Sequence, residues 1–369
     1  MKILITGAKG FVARNLIVEL NNQNYNDIYE YDIDTEPSLL EHYCEEADFV
    51  FHLAGVNRPK HEAEFMDGNF GFTSVLLDTL KKYNNSCPVM ISSSIQAGLD
   101  NPYGNSKKAG EDLLISYGNE TNAKILVYRF PNIFGKWCRP NYNSAVATFC
   151  NNIANDLPIK VNDPSAIMNL VYIDDVVEEL INALKGEENR KGDFCEVSLS
   201  YKVTLGEIVA LIKSFKENRN TLNVPNMGNP FERKLYSTYL SYLPTNQFSY
   251  PLKMKVDDRG SFTEIIRTMD RGQFSVNIAK PGITKGNHWH HSKNEKFLVV
   301  SGRGLIRFRN LNTEEIIDYF VSGDKMEMVD IPTGYIHCIT NIGDTDLVTF
   351  MWVNEPFDSD KPDTYFLEV

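Results

Sequence analysis

The first two-thirds of the chain alternate between short apolar runs and longer segments whose apolar residues recur every three or four positions. Residues 11–20 and 69–83 show this helical periodicity. The short apolar runs lie at residues 2–6, 28–32, 49–53, 88–91 and 125–128. Uniformly apolar runs of this length are typical of strands that are covered on both faces. The alternation therefore predicts a doubly wound, Rossmann-like α/β domain with a parallel sheet.

The pattern changes between residues 239 and 251. Residues 243–248, which read LPTNQF, have the composition of a junction. Beyond them the sequence consists of short alternating strands separated by glycine turns, which is typical of an antiparallel barrel or sandwich. A chain of 369 residues is also long for a single core. We therefore predict an α/β domain at residues 1–243 and an all-β domain at residues 244–369.

Composition excludes several classes of partner. A formal net charge of −12 argues against nucleic acid or an anionic membrane as the partner. No apolar run approaches the roughly 18 residues of a membrane span, and the first residues lack the layout of a signal peptide. The six cysteines include no C-x-x-C pair, which suits a reducing compartment. We expect a cytoplasmic protein in which an anionic substrate meets local basic groups.

A glycine turn follows the first apolar run. Gly7 and Gly10 lie between the predicted strand and a helix that begins at Phe11. Glycines allow a phosphate to approach the backbone closely, and the N–H groups at a helix N-terminus bind anions. This layout predicts a dinucleotide-phosphate site.

The residues around this turn give conflicting indications of which dinucleotide binds. Asp32, at the end of the second predicted strand, could bind the adenosine ribose of NAD. Lys9 and Arg14 lie near the turn and could instead bind the 2′-phosphate of NADP. The residues alone leave both cofactors open.

The stretch from residue 92 to residue 107 carries candidate redox chemistry. Three serines end an apolar strand, and a helix begins a few residues later. Tyr103 and Lys107 are four residues apart, so they lie on one face of that helix. A neighbouring ammonium group favours the phenolate form of a tyrosine, which makes Tyr103 a better proton-transfer group near neutral pH. A serine hydroxyl at the strand end can hydrogen-bond the same substrate oxygen.

Residues 1–240 resemble the extended short-chain dehydrogenase/reductase family. The shared motifs are the glycine turn, residues 52–55 (HLAG), Asn69, the serine cluster with the Tyr-x-x-x-Lys pair, and residues 129–135. The resemblance implies that Tyr103 is the acid/base, that Lys107 contacts the nicotinamide ribose, and that Ser94 polarises the carbonyl. It also implies a nicotinamide cofactor at the carboxyl edge of the sheet. The residues that would bind it are Gly7, Lys9, Gly10, Phe11, Arg14, Asp32, Leu53, Ala54, Tyr103 and Lys107.

The all-β region contains four candidate metal ligands. His288 and His290 alternate on one face of a predicted strand, and Glu295 and His337 can join them from adjacent strands. Nitrogen and oxygen donors of this kind suit Zn, Mn, Fe or Ni. His291 is expected to point to the opposite face.

The motifs around these ligands resemble the paired signature of the cupin fold. The first, residues 282–302, matches at every fixed position, whereas the second has Met326 where a glycine is usual. The resemblance implies a jelly-roll barrel with one divalent metal, for which we expect zinc. Two alternatives remain open: the metal is purely structural, or the pocket binds a sugar without metal.

The combination of these two halves resembles the CapF-type enzymes of capsular polysaccharide biosynthesis over essentially the whole chain. The resemblance implies two reactions on a UDP-2-acetamido-2,6-dideoxy-L-hexos-4-ulose, a UDP-sugar. The cupin domain would epimerise C3, and the first domain would then reduce C4 with NADPH, in preference to NADH. The product would be UDP-2-acetamido-2,6-dideoxy-L-talose, in the pathway to UDP-N-acetyl-L-fucosamine. Candidate proton carriers for the epimerisation are Lys296, Tyr335 and His288, and a homodimer is expected by analogy.

Two other functions remain open. One is an NAD-dependent nucleotide-sugar epimerase or dehydratase with a non-catalytic, sugar-binding cupin module. Dehydratases usually carry acids beside the serine cluster, whereas Ile95 and Gln96 follow Ser94 here. The other is a catalytically idle module whose cupin half senses sugar, which the intact Ser, Tyr and Lys set disfavours.

Overall fold

The computed structural model describes all 369 residues and divides them into two compact units. Unit 1 comprises residues 1–213 and 230–244, and unit 2 comprises residues 214–229 and 245–369. The later junction lies beside the predicted boundary, but nothing in the sequence pattern indicated that residues 214–229 group with the second unit. A single domain boundary at 243/244 stays a prediction.

The first 244 residues alternate between strands and helices. The strands are β1 Ile3–Thr6, β2 Ile28–Tyr31, β3 Phe49–His52, β4 Val89–Ser94, β5 Ile125–Phe130, β6 Asn132–Phe134, β7 Ile167–Tyr172, β8 Arg190–Lys191, β9 Phe194–Cys195 and β10 Tyr201–Thr204. The helices are α1 Phe11–Asn22, α2 Pro37–Glu46, α3 Ala63–Met66, α4 Phe72–Lys82, α5 Pro102–Thr121, α6 Ala145–Ala154, α7 Ile173–Leu184, α8 Leu205–Thr221 and α9 Pro230–Leu240. None of the helices is long and apolar enough to cross a membrane.

The principal sheet of unit 1 has seven strands in the order β2-β1-β3-β4-β5-β9-β8. Every neighbouring pair from β2 to β9 is parallel, and only β8 runs antiparallel to its neighbour. The strand order reverses between β1 and β3, and open sheets of this kind bind ligands outside the carboxyl ends of the strands at such a point. The predicted doubly wound parallel sheet is confirmed.

Two apolar clusters cover the two faces of this sheet because successive strand residues point to opposite sides. Ile3 and Ile5 pack into one cluster, which includes the buried faces of α1 and α7. Leu4 packs into the other, which includes buried residues of α2, α4 and α5. Burial on both faces explains why these strands read as uniformly apolar runs in the sequence.

Unit 2 is built from antiparallel strands. They are β11 Met254–Asp257, β12 Gly260–Arg267, β13 Gln273–Ala279, β14 Thr284–Trp289, β15 Glu295–Ser301, β16 Arg303–Asn310, β17 Ile316–Ser322, β18 Met328–Ile331, β19 Tyr335–Asn341, β20 Leu347–Val353 and β21 Tyr365–Phe366. They form one sheet in the order β11-β12-β13-β20-β15-β18 and a second in the order β17-β16-β19-β14-β21. The predicted all-β class is confirmed.

The core of unit 2 lies between its two sheets. Phe297 and Leu347 of the first sheet share one buried cluster with Ile306 and Ile339 of the second. The inner positions of the strands change from apolar to polar along the barrel. Ser275 and Asn277 on β13 are buried, but they line a pocket rather than this cluster.

We predict that Gly7→Ala destabilises unit 1 far more than Gly98→Ala. Gly7 has φ +69°, and a Cβ there would lie 2.7 Å from the backbone N and Cα of Ala54. A non-glycine residue in that conformation costs about 1–3 kcal/mol before the clash is counted. Gly98 is the matched control because a Cβ on it meets nothing within 4 Å. Urea unfolding of both variants measures the difference, and equal midpoints would contradict the prediction.

Candidate active sites

The glycine turn of unit 1 packs directly against the end of β3. The N–H of Gly7 donates to the carbonyl of Tyr31 at 2.8 Å, and the N–H of Gly10 donates to the Gly7 carbonyl at 2.9 Å. The close approach to Ala54 leaves no room for a side chain at Gly7. Gly10 caps α1 without a side-chain hydrogen bond, and the helix begins at Phe11. The first N–H groups of α1 are therefore available to an anion, as a dinucleotide phosphate requires.

The charged residues near the turn differ in their hydrogen-bond and ion-pair partners. The Asp32 carboxylate accepts hydrogen bonds from the backbone N–H groups of Lys9 and Ile33, both at 2.8 Å. The Lys9 ammonium pairs with Asp34. The Arg14 guanidinium lies 5.7 Å from the Trp137 ring centroid and forms no ion pair. Lys9, Arg14 and Trp137 line a pocket of about 590 Å³ together with Glu30.

The three serines at the end of β4 have three different environments. The carbonyl of Ser92 accepts a hydrogen bond from Lys107 Nζ at 3.0 Å. The hydroxyl of Ser93 is 2.5 Å from Glu111 Oε1. The hydroxyl of Ser94 accepts from the N–H of Gln96 at 3.2 Å and is close enough to the Tyr103 phenol to lower its pKa. Ser94 is thus the serine whose hydroxyl faces Tyr103.

The start of α5 is fixed by local chemistry. The side chain of Asn101 caps the helix by accepting from the N–H of Gly104 at 2.8 Å, and Pro102 occupies the first turn, where proline is tolerated. The Tyr103 ring packs 5.6 Å from the Phe65 ring. These contacts set the direction in which the phenol points.

The expected lowering of the Tyr103 pKa by Lys107 is absent. Burial raises the pKa of Tyr103, and the Ser94 hydroxyl opposes that rise. Burial also lowers the pKa of Lys107 to about 8, although the charge of Glu111 acts against this. The Lys107 ammonium instead lies against Gly55, where a Cβ would meet Nζ at 2.8 Å.

Glu111 was not singled out in the sequence, and its partner Arg129 was known only from the motif at residues 129–135. Glu111 is 0% exposed and forms a forked ion pair with Arg129. Asn69, known only from the family motif, is buried and hydrogen-bonds Val56 and Ser106. The position of Glu111 one helical turn beyond Lys107 was the available signal, since α5 then places both residues on one face.

His52 is a structural residue of the sheet edge. Its two ring nitrogens lie 2.7 Å from the Thr6 hydroxyl and 2.8 Å from the Thr73 hydroxyl. Burial, reinforced by the charge of Lys107, lowers its pKa to about 3. A neutral imidazole with both nitrogens occupied is not available as a catalyst.

The four predicted metal ligands of unit 2 come together. One ligand atom from each of His288, His290, Glu295 and His337 lies within 4.8 Å of every other. Glu295 Oε2 is 3.1 Å from His337 Nε2 and 3.6 Å from His290 Nε2. His291 is exposed and packs on Trp289, outside this cluster.

A β-bulge places His288 opposite His337. The register between β14 and β19 shifts between Gly286 and His288, and Asn287 takes φ 58°. Gly286 has φ 108°, and a Cβ on it would lie 2.9 Å from both the His337 carbonyl oxygen and the Cys338 Cα. The bulge therefore needs glycine at 286. As a result, Lys285 and His288 line the same pocket although they are three residues apart.

The cluster contains buried polar atoms that a divalent cation would satisfy. His290 Nε2, Glu295 Oε2 and both ring nitrogens of His337 are buried without a hydrogen-bond partner. Such atoms cost free energy unless a partner is supplied. Three imidazoles and one carboxylate are a donor set that zinc and similar metals accept.

Burial and the neighbouring side chains set the protonation states of the candidate ligands. Burial lowers the pKa of His288 to about 4. Burial opposes ionisation of Glu295, but the adjacent imidazoles of His290 and His337 outweigh it and lower its pKa to about 2. Glu295 is therefore an anion and His288 a neutral imidazole at physiological pH, which are the forms that bind a cation.

Asp363 supports the cluster from a distant part of the chain, and the sequence pattern gave no sign of it. Its carbonyl lies 2.5 Å from His290 Nδ1, so that nitrogen carries the proton and Nε2 is left as the acceptor. Its carboxylate accepts hydrogen bonds from the backbone N–H groups of His291, Ser292 and Lys293 at 2.9–3.0 Å. Asp363 thus fixes both the tautomer of His290 and the loop that follows it.

The cluster opens into a pocket of about 720 Å³. Of the three candidate proton carriers, only His288 lines it. Lys296 forms an ion pair with Asp330 on a neighbouring strand, and Tyr335 packs beside Phe308. Other ionisable residues that line the pocket include Lys285, Lys293 and Glu264.

Two family models match the chain. Residues 3–197 match a model described as the NAD dependent epimerase/dehydratase family. Residues 255–365 match one described as the polysaccharide biosynthesis C-terminal domain. The two matches lie on opposite sides of the junction at residue 244.

Individual proteins resemble the whole chain. UDP-2-acetamido-2,6-beta-L-arabino-hexul-4-ose reductase from Pseudomonas aeruginosa is 43% identical over 369 residues, which is 100% of this chain and 99% of the relative. The crystal structure of the capsular polysaccharide assembling protein CapF from Staphylococcus aureus aligns with a TM-score of 0.95 and 56% identity over 100% of both chains. UDP-glucuronic acid 4-epimerase from Bacillus cereus, in complex with NAD, aligns with a TM-score of 0.51 and 19% identity over 58% of this chain and 84% of its own. The last likeness concerns the fold alone.

We predict that Asp363→Ala weakens binding of a divalent metal to unit 2. Alanine keeps the backbone carbonyl that accepts from His290 Nδ1, but it removes the carboxylate that holds residues 291–293 and thereby the position of that carbonyl. Loss of contacts that orient a ligating histidine typically costs about 10–100-fold in metal affinity. The matched control is Asp324→Ala, since Asp324 is exposed and lies outside the cluster. Competition with a chelator, followed by elemental analysis, measures the affinity of both variants for zinc. Equal zinc affinity in the two variants would contradict the role of Asp363.

Proposed function

The chain belongs to the NAD dependent epimerase/dehydratase family, and we propose that it acts twice on a UDP-2-acetamido-2,6-dideoxy-L-hexos-4-ulose. Unit 2 would epimerise C3, and unit 1 would then reduce the C4 ketone with NADPH. The product would be UDP-2-acetamido-2,6-dideoxy-L-talose. The observation that carries the proposal is the joint presence of a Ser94–Tyr103 pair beside a dinucleotide turn and an imidazole–carboxylate cluster in a polar pocket.

The broader assignment is firm. The chain is a nucleotide-sugar reductase/epimerase of the CapF type, and it uses a nicotinamide cofactor. The Pseudomonas aeruginosa relative is named as a hexul-4-ose reductase, which supports the C4 ketone as the group that is reduced. The individual steps below are proposals about this chain.

The reduction follows from the residues at the end of β4 and the start of α5. A bound reduced nicotinamide would supply the hydride that adds to C4. The Ser94 hydroxyl would hydrogen-bond the ketone oxygen, and the Tyr103 phenol would donate the proton that completes the alcohol. Lys107, held by the Ser92 carbonyl, would contact the nicotinamide ribose. Since burial raises the pKa of Tyr103, the phenol is protonated at neutral pH, which is the form that a reduction needs.

NADPH is favoured over NADH by the charges around the turn. The Asp32 carboxylate is already engaged by two backbone N–H groups, which reduces its capacity to accept a ribose hydroxyl. Arg14 forms no ion pair and lines a pocket with Lys9 and with one acidic residue, Glu30. An arginine of this kind suits the forked binding of a phosphate.

The epimerisation follows from the acidity of a proton next to a ketone. A divalent cation at the cluster, for which we propose zinc, would polarise the C4 ketone and so acidify the proton at C3. Groups that line the pocket would then remove this proton from one face of C3 and return one to the other. The pocket lysines Lys285 and Lys293 are the candidates for this transfer, because the nitrogen of His288 that binds the cation has no free lone pair with which to take a proton.

We predict that Tyr103→Phe abolishes reduction and spares exchange at C3. Loss of a positioned general acid lowers a rate by about 10²–10⁴-fold. NADPH oxidation at the nicotinamide absorbance band measures the reduction. Incorporation of deuterium at C3 from heavy water, followed by NMR, measures the exchange. A variant that oxidises NADPH at the normal rate would exclude Tyr103 as the proton donor.

We predict that His290→Ala abolishes exchange at C3 and spares reduction at C4. Removing one imidazole from the cluster should eliminate bound zinc, because a four-ligand site with one protein ligand missing holds the ion weakly. Exchange at C3 should stop, whereas reduction of a sugar already inverted at C3 should continue. Elemental analysis and the two assays above check this prediction. Unchanged metal content would exclude His290 as a ligand.

A further inference from the structure

Glu111 is a fully buried carboxylate beside the proposed reductase site. It is 0% exposed and lies on α5, and it accepts three hydrogen bonds from two different strands. Arg129 on β5 donates to it twice, with Nε 2.9 Å from Oε1 and Nη2 2.6 Å from Oε2. Ser93 on β4 donates to Oε1 at 2.5 Å. One side chain therefore ties α5 to both β4 and β5.

The pairing of Glu111 with Arg129 is suited to a buried position. A planar guanidinium matches both oxygens of a carboxylate, and a buried ion pair is tolerated only with such complete hydrogen bonding. The guanidinium carbon of Arg129 also lies 3.9 Å from the centroid of the Phe194 ring, on β9. The carboxylate is thus fully buried and hydrogen-bonded, whereas the Arg129 side chain, at 26% exposure, reaches the surface.

Glu111 continues the helix face that carries Tyr103 and Lys107. These residues are spaced four apart on α5, so they lie in one row along the helix. At the top of the row Tyr103 faces Ser94, in the middle Lys107 holds the Ser92 carbonyl, and at the bottom Glu111 holds the Ser93 hydroxyl. Each residue of the row is thus matched to one serine.

We infer that Glu111, supported by Arg129, is a positioning residue for the reduction. It engages the Ser93 hydroxyl and so keeps that hydroxyl from the substrate ketone. It also fixes the height of α5 against β4, which sets the spacing between the Ser94 hydroxyl and the Tyr103 phenol. This inference rests on the proposed C4 reduction.

The negative charge of Glu111 also supports the reductase site, through its effect on Lys107. Burial lowers the pKa of Lys107, and the carboxylate one turn away opposes that shift. A carboxylate at position 111 therefore helps to keep Lys107 in the ammonium form that binds the Ser92 carbonyl. Glutamine at the same position would keep the shape of the side chain but remove this support.

The test compares single and double variants of the two contacts. Loss of Ser94, which would touch the substrate oxygen, should lower kcat by about 10²–10³-fold, as for other donors to a developing oxyanion. Ser93→Ala should lower kcat by no more than about tenfold, because Ser93 acts only through geometry. Glu111→Gln should lower kcat by about 10²-fold with little change in KM, since misplacement of a reacting pair affects the transition state more than binding.

The double variant Glu111→Leu with Ser93→Ala, measured beside Glu111→Leu alone, decides whether the two residues act through one contact. If they do, both should have about the same kcat, because leucine leaves no acceptor at position 111 for the Ser93 hydroxyl. Strictly multiplied losses would overturn the inference. So would equal losses of kcat in Ser93→Ala and Ser94→Ala, since Ser93 would then touch the substrate itself.

A matched control separates positioning from loss of stability. Tyr128, the neighbour of Arg129 on β5, is 0% exposed and donates a 2.7 Å hydrogen bond to Glu179 on the other side of the sheet. Tyr128→Phe should lower the urea midpoint and leave kcat unchanged. A wild-type protein that does not oxidise NADPH with the ketosugar would overturn the proposed function and this inference together. If Glu111→Gln does not fold, the comparison of Ser93→Ala with Ser94→Ala still decides the question.

Discussion

The parallel register of β1, β3 and β4 is the constraint on which the candidate reductase site depends. Parallel strands end at the same edge of a sheet, so the glycine turn after β1, the Leu53–Ala54 segment after β3 and the serines of β4 must meet there. The contact between Gly7 and Ala54 shows how close this meeting is. A shift of one residue would exchange the side chains that pack into the two apolar clusters on opposite faces of the sheet, as well as moving the site. Fold and site are therefore specified by the same pairing.

In unit 2, antiparallel strands bring the candidate ligands together, and they need a β-bulge to do so. Regular alternation would direct Lys285 and His288 to opposite faces of β14. The bulge at Asn287 corrects this and brings His288 opposite His337. Bulges of this kind re-aim side chains beside functional sites in other antiparallel sheets. The Asp363 carbonyl then holds His290, the next ligand along the chain, in the required tautomer.

Local periodicity and spacing were sufficient to predict the fold class and to bring together the four ligands of unit 2. Short apolar runs between turn residues and helical segments favoured buried strands, and His-x-His with Glu295 and His337 favoured a metal site. What could not be predicted depends on contacts between residues far apart in sequence. Glu111 and Arg129 are 18 positions apart, Asp363 lies 73 positions from His290, and residues 214–229 join unit 2 across an intervening helix. The predicted lowering of the Tyr103 pKa by Lys107 was also not found. Burial dominates the pKa values of both residues, and burial cannot be read from a four-residue spacing.

Several positions at which the chain departs from the rules of stability lie in its candidate sites. Buried imidazole and carboxylate atoms without partners and a lysine with a pKa lowered to about 8 cost free energy in a folded protein. Some comparable groups elsewhere are satisfied, since His52 uses both ring nitrogens and Glu179 is bonded by Tyr128 and by a backbone N–H. Others are not, because isolated side-chain oxygens such as those of Asn15 and Thr349 are also buried without a partner. The cluster of unit 2 differs from these in that the unpartnered atoms of His290, Glu295 and His337 lie together, with one ligand atom of each side chain and of His288 within 4.8 Å of every other. Unsatisfied ionisable groups that converge in this way are the pattern expected of a functional site, where a ligand supplies the missing partners.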